Sequence, residues 1–264
     1  MQQHHDLAII AALEAGNKIL AIYGTNDFDV TEKSDHSPLT RADRAAHDVI
    51  TKVLENSGFP VLSEEGRDIP HEERKRWDTF WLVDPLDGTK EFIKRNGEFT
   101  VNIALIKQGA PAFGVVYAPV LEDLYIGIPG EGAWILTKPA PKSTLEEIKQ
   151  KGTPLPDAHK TNHTAYRVVA SRSHLNAETE TYIEKLTSSH GTVETVSKGS
   201  SLKLCMVASG EAHEYPRLGP TMEWDVAAAH AVVLGAGKKV TIFGTGQPLQ
   251  YNKADLLNPY FLVQ

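Results

Sequence analysis

Asp84-Pro85-Leu86-Asp87-Gly88-Thr89 sets two carboxylates three residues apart around a tight turn, directly after the apolar run Phe80 to Val83. That run has the composition of a short strand. Proline removes a backbone donor, so the strand is expected to stop at Asp84-Pro85. Gly88-Thr89 then leads into a helix-like segment, whose free N-terminal amides favour an anion. The two carboxylates alone would repel a phosphate there. A divalent cation held between hard oxygen ligands reconciles both features. The competing reading is an Asp-Pro/Asp-Gly turn in which Thr89 or Asp87 caps the helix.

Four other places carry residue types of the same chemistry, each with a bland explanation beside it. Thr40-x-x-Asp43 opens the amphipathic segment Ala42 to Asn56 and is close to a helix capping box. Glu64-Glu65 follows the short strand Gly58 to Leu62, where paired acids are usually solvated. Trp224-Asp225 precedes the apolar helix Val226 to Leu234, and Asp225 is placed to cap it. In Gly199-Ser200-Ser201-Leu202-Lys203, small residues would let backbone amides approach a ligand, with Lys203 one turn inside the helix. An EF-hand reading of the Asp84 stretch fails on spacing, because the third position is Leu86 and the twelfth is Arg95 instead of glutamate.

The elements that must position these groups are legible in outline. Asp6 to Tyr23 has a helical pattern closed by Gly24, and His71 to Arg76 is a polar helix face or loop. Phe99 to Ile106, Phe113 to Ala118, Leu124 to Ile128 and Ala133 to Leu136 form an antiparallel meander. Thr137 to Thr164 is polar and rich in Pro and Lys, with one short helix near Leu145 to Lys149, and is expected to be the linker. Alternating elements follow: strands at Arg167 to Ala170, Thr192 to Val196, Ala212 to Tyr215 and Lys239 to Phe243, with helices at Asn176 to Ser188, Ser200 to Ser209 and Asp225 to Leu234. Such alternation argues for a layered α/β unit. The expected division is an α+β half at 1–160 and an α/β half at 161–264.

At 264 residues, with 41% hydrophobic and 23% charged residues, the composition is that of an ordinary globular chain. A net charge of −7 disfavours a generic nucleic-acid binder. The single cysteine, Cys205, forms no intramolecular disulfide and fits a reducing compartment. The apolar run Leu7 to Leu13 is too short to span a membrane, and no secretory leader is expected.

Taken in order, Thr40-x-x-Asp43, Glu64-Glu65, Asp84-Pro85-Leu86-Asp87-Gly88-Thr89 and Trp224-Asp225 resemble the inositol monophosphatase-like superfamily over nearly the whole chain. Gly88-Thr89-Lys90-Glu91-Phe92, Val169 to His174, Gly199 to Lys203 and Tyr215 to Thr221 resemble its 3′(2′),5′-bisphosphate nucleotidase branch. The chain departs from the pattern at Ser63 and Ala229, where glycine is usual, and at Val226, a residue type of the inositol phosphatases.

The resemblance implies a layered α/β/α/β/α fold and a cytoplasmic enzyme of sulfur metabolism that removes the 3′-phosphate of adenosine 3′,5′-bisphosphate. Two or three Mg²⁺ ions are implied. Glu64, Asp84 and the Leu86 carbonyl would hold one, and Asp84, Asp87 and Asp225 a second. Glu64 and waters would support a third. Asp43 and Thr89 would activate the attacking water, with Glu64 also catalytic through its ion. Gly88 and Thr89 amides would grip the phosphate, and Gly199, Ser200, Lys203, Arg217 and Asp225 would meet the nucleotide. Ser171 and His174 would line the nucleoside pocket. Lithium inhibition is implied as well. An inositol or sugar monophosphatase is the alternative enzyme reading, and a phosphate-sensing or metal-binding relative the non-enzyme one. Peripheral association with the cytoplasmic membrane face and a monomer or homodimer both stay open.

Overall fold

The computed structural model describes residues 2–25, 28–32, 38–170 and 176–264. In chain order the elements are α1 (Gln2–Tyr23), β1 (Thr31–Glu32), β2 (Pro38–Leu39), α2 (Arg41–Leu54), β3 (Val61–Ser63), α3 (His71–Arg74), β4 (Thr79–Asp87), α4 (Thr89–Ile93), β5 (Thr100–Lys107), β6 (Ala110–Ala118), β7 (Asp123–Ile128), β8 (Gly132–Thr137), α5 (Leu145–Lys151) and β9 (Thr153–Pro154). There follow β10 (Tyr166–Val169), α6 (Ala177–His190), β11 (Val193–Val196), α7 (Leu202–Ser209), β12 (Tyr215–Arg217), α8 (Glu223–Gly235), β13 (Val240–Ile242) and β14 (Phe261–Val263).

Strands β3 to β9 form one seven-stranded sheet in sequence order. The β3–β4 pair is parallel and β4 to β9 run antiparallel. Alternation along β4 explains how both sheet faces are covered. Trp81 and Val83 join Val101, Ile103 and Val115 beneath α1 and α2. Phe80 and Leu82 join Ala104 and Val116 beneath α7 and α8. That second core draws on both halves of the chain. Small sheets, β10–β11 and β12–β14–β13, lie between α7 and α6. The layers are therefore helix pair, sheet, helix pair, sheets and helix.

Two glycines set the height of α8 over the sheet. A Cβ on Gly114 would stand 2.2 Å from the Ala228 carbonyl oxygen, and one on Gly127 would stand 2.2 Å from Val232 Cα. Only glycine permits that approach, which fixes the helix that carries Asp225.

Several elements differ from the sequence expectation. β4 continues past Asp84-Pro85 to Asp87, because a register shift between Asp84 and Asp87 absorbs the proline. The expected linker is partly built into the fold: Leu145 and Ile148 are buried, and β9 pairs with β8. Helix α8 starts at Glu223, two residues before Asp225. The strand expected at Ala212 to Tyr215 lies at Tyr215–Arg217, with Glu214 making only a bridge to Val168. The C-terminal strand β14 lay hidden because three apolar residues after a polar stretch give no period to read. Among the described residues, no helix is long and apolar enough to cross a membrane.

Candidate active site

The bulge in β4 is the local device that turns Asp84 and Asp87 toward one cleft. Asp84 pairs with Asn102 and Asp87 with Thr100, so three steps on β4 match two on β5. An extra residue of this kind re-aims side chains at a strand end. Asp84 is buried, and its Oδ1 accepts from the Leu86 amide at 3.0 Å. Glu64 follows β3, with its amide tied to the Val83 carbonyl at 3.1 Å. From the other half, Asp225 stands in the first turn of α8 and accepts from the Met222 amide at 2.8 Å. It therefore caps its helix from the third position instead of the N-cap itself.

These pieces converge. Oxygen atoms of Glu64, Asp84 and Asp225 all lie within 4.8 Å of one another. Burial, then the charges of Glu64, Asp87 and Asp225, push the Asp84 carboxyl well above the ordinary range. Asp225 is raised by burial and by Asp87 and Glu64. An all-oxygen set of mutually repelling carboxylates is the donor chemistry of a hard divalent cation. The residues present fit such an ion. Asp87 stands beside this trio instead of within it. Its Oδ2 accepts from Ser200 Oγ at 2.6 Å and the Ser201 amide at 2.7 Å. The Leu86 carbonyl accepts from Thr89 Oγ1 at 3.4 Å.

Asp43 caps its helix and also reaches Thr89. Its Oδ2 takes the Thr40 amide at 2.7 Å and the Thr40 hydroxyl at 2.6 Å, which is the capping box. Its Oδ1 accepts from Thr89 Oγ1 at 3.2 Å, which joins it to the Asp84–Asp87 bulge and the start of α4. Gly88 has φ of 94° and stands immediately before α4. That left-handed geometry favours glycine and lets Thr89 start the helix.

A cleft of about 760 Å³, including its open mouth, runs from this acidic end. Asp87, Gly88, Gly199, Ser200, Lys203, Arg217 and Asp225 are among its lining residues. Burial, with Arg217 nearby, lowers the Lys203 ammonium to about 8, against the opposing pull of Asp87. Arg217 Nη2 donates to the Pro220 carbonyl at 2.8 Å. Its Nε is buried with no hydrogen-bond partner among the described residues. Ser171 and His174 lie outside the described residues.

Sequence reasoning missed Thr100, Asn102 and Glu98, and it read Ser201 only as one of the small residues of the Gly199–Lys203 run. Gly199 donates to Glu98 Oε2 at 2.9 Å, and Thr100 and Asn102 are fully buried polar residues beside Asp87. The available signal was Thr100-x-Asn102, two polar side chains on one face of an otherwise apolar strand. Glu223 was missed too. Its buried carboxylate accepts from the Asn252 and Lys253 amides and anchors the start of α8.

The inositol monophosphatase family model matches residues 1–261, and the chain belongs to that family. The family is metal-dependent, in keeping with the acidic trio. Within it, the chain falls in the CysQ branch. CysQ proteins named 3′(2′),5′-bisphosphate nucleotidase from Shigella flexneri and Escherichia coli K12 are each 48% identical over 257 residues, covering 96% of both chains. The crystal structure of CysQ from Bacteroides thetaiotaomicron superposes with a TM-score of 0.90 at 50% identity, covering 100% of this chain and 97% of that one. A Thermotoga maritima IMPase, at 20% identity and a TM-score of 0.74, shares the fold.

Proposed function

We propose that this chain hydrolyses adenosine 3′,5′-bisphosphate to AMP and phosphate, with Mg²⁺ in the acidic site. The observation that carries the reading is the meeting of the Glu64–Asp84–Asp225 trio with a cleft holding Lys203 and Arg217. The CysQ relatives support it, because they are named as 3′(2′),5′-bisphosphate nucleotidases.

Glu64, Asp84 and the Leu86 carbonyl would hold one Mg²⁺, and Asp84, Asp87 and Asp225 a second, with Glu64 and waters supporting a third. When bound, Mg²⁺ acidifies the attacking water and offsets charge on the leaving oxygen of an in-line displacement. The chain's own part in the proton transfer falls to Thr89 and Asp43. Thr89 Oγ1 takes a proton from the attacking water and passes its own to Asp43 Oδ1, 3.2 Å away. A hydroxyl can do both, whereas the carboxylate only accepts. Thr40 holds the other Asp43 oxygen, so the accepting atom stays in place. Gly88 and Thr89 amides orient the phosphate that is lost. Arg217 and Lys203 bind the phosphate that is kept, the first as a planar fork and the second as a point charge. Gly199 and Ser200, in the turn before α7, meet the nucleotide from the same cleft wall.

The test is phosphate release from adenosine 3′,5′-bisphosphate and from inositol 1-phosphate, with and without Mg²⁺. Fast release from the nucleotide only with Mg²⁺ is expected. Preference for inositol 1-phosphate would replace this reading with that of an inositol phosphatase.

A further inference from the structure

Asp87 differs from the other carboxylates of the site in what holds it. One oxygen, Oδ2, receives Ser200 Oγ at 2.6 Å, the Ser201 amide at 2.7 Å and Asn102 Nδ2 at 3.4 Å. Behind these donors stands a closed network. Ser201 Oγ is 2.8 Å from Asn102 Oδ1, and Thr100 Oγ1 lies 2.5 Å from Ser200 Oγ, 2.9 Å from Ser201 Oγ and 3.2 Å from Asn102 Oδ1. Thr100 and Asn102 are both 0% exposed.

Proton counting gives the network a direction. The Ser200 hydroxyl spends its one hydrogen on Asp87, so it must accept from Thr100. Ser201 spends its hydrogen on Asn102 Oδ1, which fixes the amide so that Nδ2 faces Asp87. Thr100 thus orients Ser200, and Asn102 is oriented by Ser201. Both serine donors belong to the turn before α7, where Ser200 sits at φ 56°. That left-handed conformation is disfavoured for a side-chain residue and persists only when its surroundings impose it.

We infer that Thr100 and Asn102 are positioning residues, fixing the Asp87 carboxylate and the Gly199–Ser201 turn in one arrangement. Three donors on Oδ2 leave Oδ1 as the oxygen for a cation. The pair acts through Asp87 and Ser200 and touches neither substrate nor ion. Removing a partner behind a metal ligand commonly costs 10–100-fold in metal affinity or activity. This inference rests on the cation-binding reading of the acidic site.

The test is Mn²⁺ binding followed by the electron paramagnetic resonance of the free ion, which needs no turnover. Thr100→Val and Asn102→Leu keep size and lose the polar atoms, and Thr100→Ser restores the hydroxyl. Folding is checked by circular dichroism, and Thr100→Ala replaces the valine variant if that does not fold. The expected result is about tenfold weaker Mn²⁺ binding in the valine and leucine variants, with serine within about threefold of wild type. Wild-type affinity in folded Thr100→Val and Asn102→Leu would overturn the positioning role and leave the cation site standing. A wild-type protein that binds no Mn²⁺ would overturn both.

Discussion

The two sides of the cleft are built by different means. On the acidic side, each of three carboxylates is held by an amide close in sequence: Asp43 by Thr40, Asp84 by Leu86 and Asp225 by Met222. On the basic side, Lys203 and Arg217 come from α7 and β12, and only the tertiary fold brings them together. Local hydrogen bonds orient these three carboxylates one by one, while the fold brings Asp84 and Asp225 together with Glu64. The basic side places two cations beside one another, with Asp87 pulling on Lys203. If the proposed roles hold, chemistry is separated from recognition, with Asp87 and the Gly199–Ser201 turn joining the two.

The largest effect should come from breaking the acidic side. Asp87→Asn keeps the shape and removes a charge. Its kcat should fall by more than about a hundredfold, the upper range for changes merely behind a metal ligand. Steady-state phosphate release checks this, and near-normal turnover at millimolar Mg²⁺ would remove Asp87 from the site. Chelation of divalent ions should abolish activity reversibly.

Next in size is the proton relay. Thr89→Val and Asp43→Asn should each lower kcat by about 10²–10⁴-fold with little change in KM, the usual range for general acid–base help. The double variant should lose little more than either single one, because the two act as a unit. Asp43→Asn should also lower stability by about 0.5–2 kcal/mol, since it caps α2. Multiplicative kinetic losses would leave Asp43 only its capping role.

On the basic side the effect should appear in binding. Arg217→Ala should raise KM for the bisphosphate by one to two decades, from a charge-assisted contact worth about 1.5–3 kcal/mol. Turnover of a simple monophosphate should stay nearly unchanged. Equal losses on both substrates would place Arg217 in the chemistry instead.

The smallest effect is a pH dependence. Burial lowers Lys203 to about 8 in the free protein. Under the proposed function its charged form is the one that binds phosphate, and that form predominates below about 8 and is lost above it. KM for the bisphosphate should therefore rise as pH passes upward through about 8. Lys203→Arg should remove the inflection, because arginine stays charged throughout this range. An unchanged profile in that variant would assign the inflection to another group.

What the sequence made legible follows the same division. Thr40-x-x-Asp43 announces its cap because a cap depends on neighbours within three residues, whereas the bulge that carries β4 through Asp84-Pro85-Leu86-Asp87 depends on its register with β5. The β5–β8 meander was legible from alternation and turn residues. Thr100, Asn102 and Glu98 went unnoticed because their partners lie across the fold: about a hundred residues separate Thr100 from Ser200. The Asp225 cap was placed two residues from the true helix start because Glu223, buried against Asn252 and Lys253, looks like a surface acid until the fold is known.

The division of labour makes one demand on the product. If Arg217 and Lys203 keep the 5′-phosphate on the basic side, only the 3′-phosphate reaches Asp84 and Asp87. Phosphorus NMR of the reaction on adenosine 3′,5′-bisphosphate with Mg²⁺ should then show adenosine 5′-monophosphate and inorganic phosphate alone. Accumulation of adenosine 3′-monophosphate would contradict the orientation across the cleft.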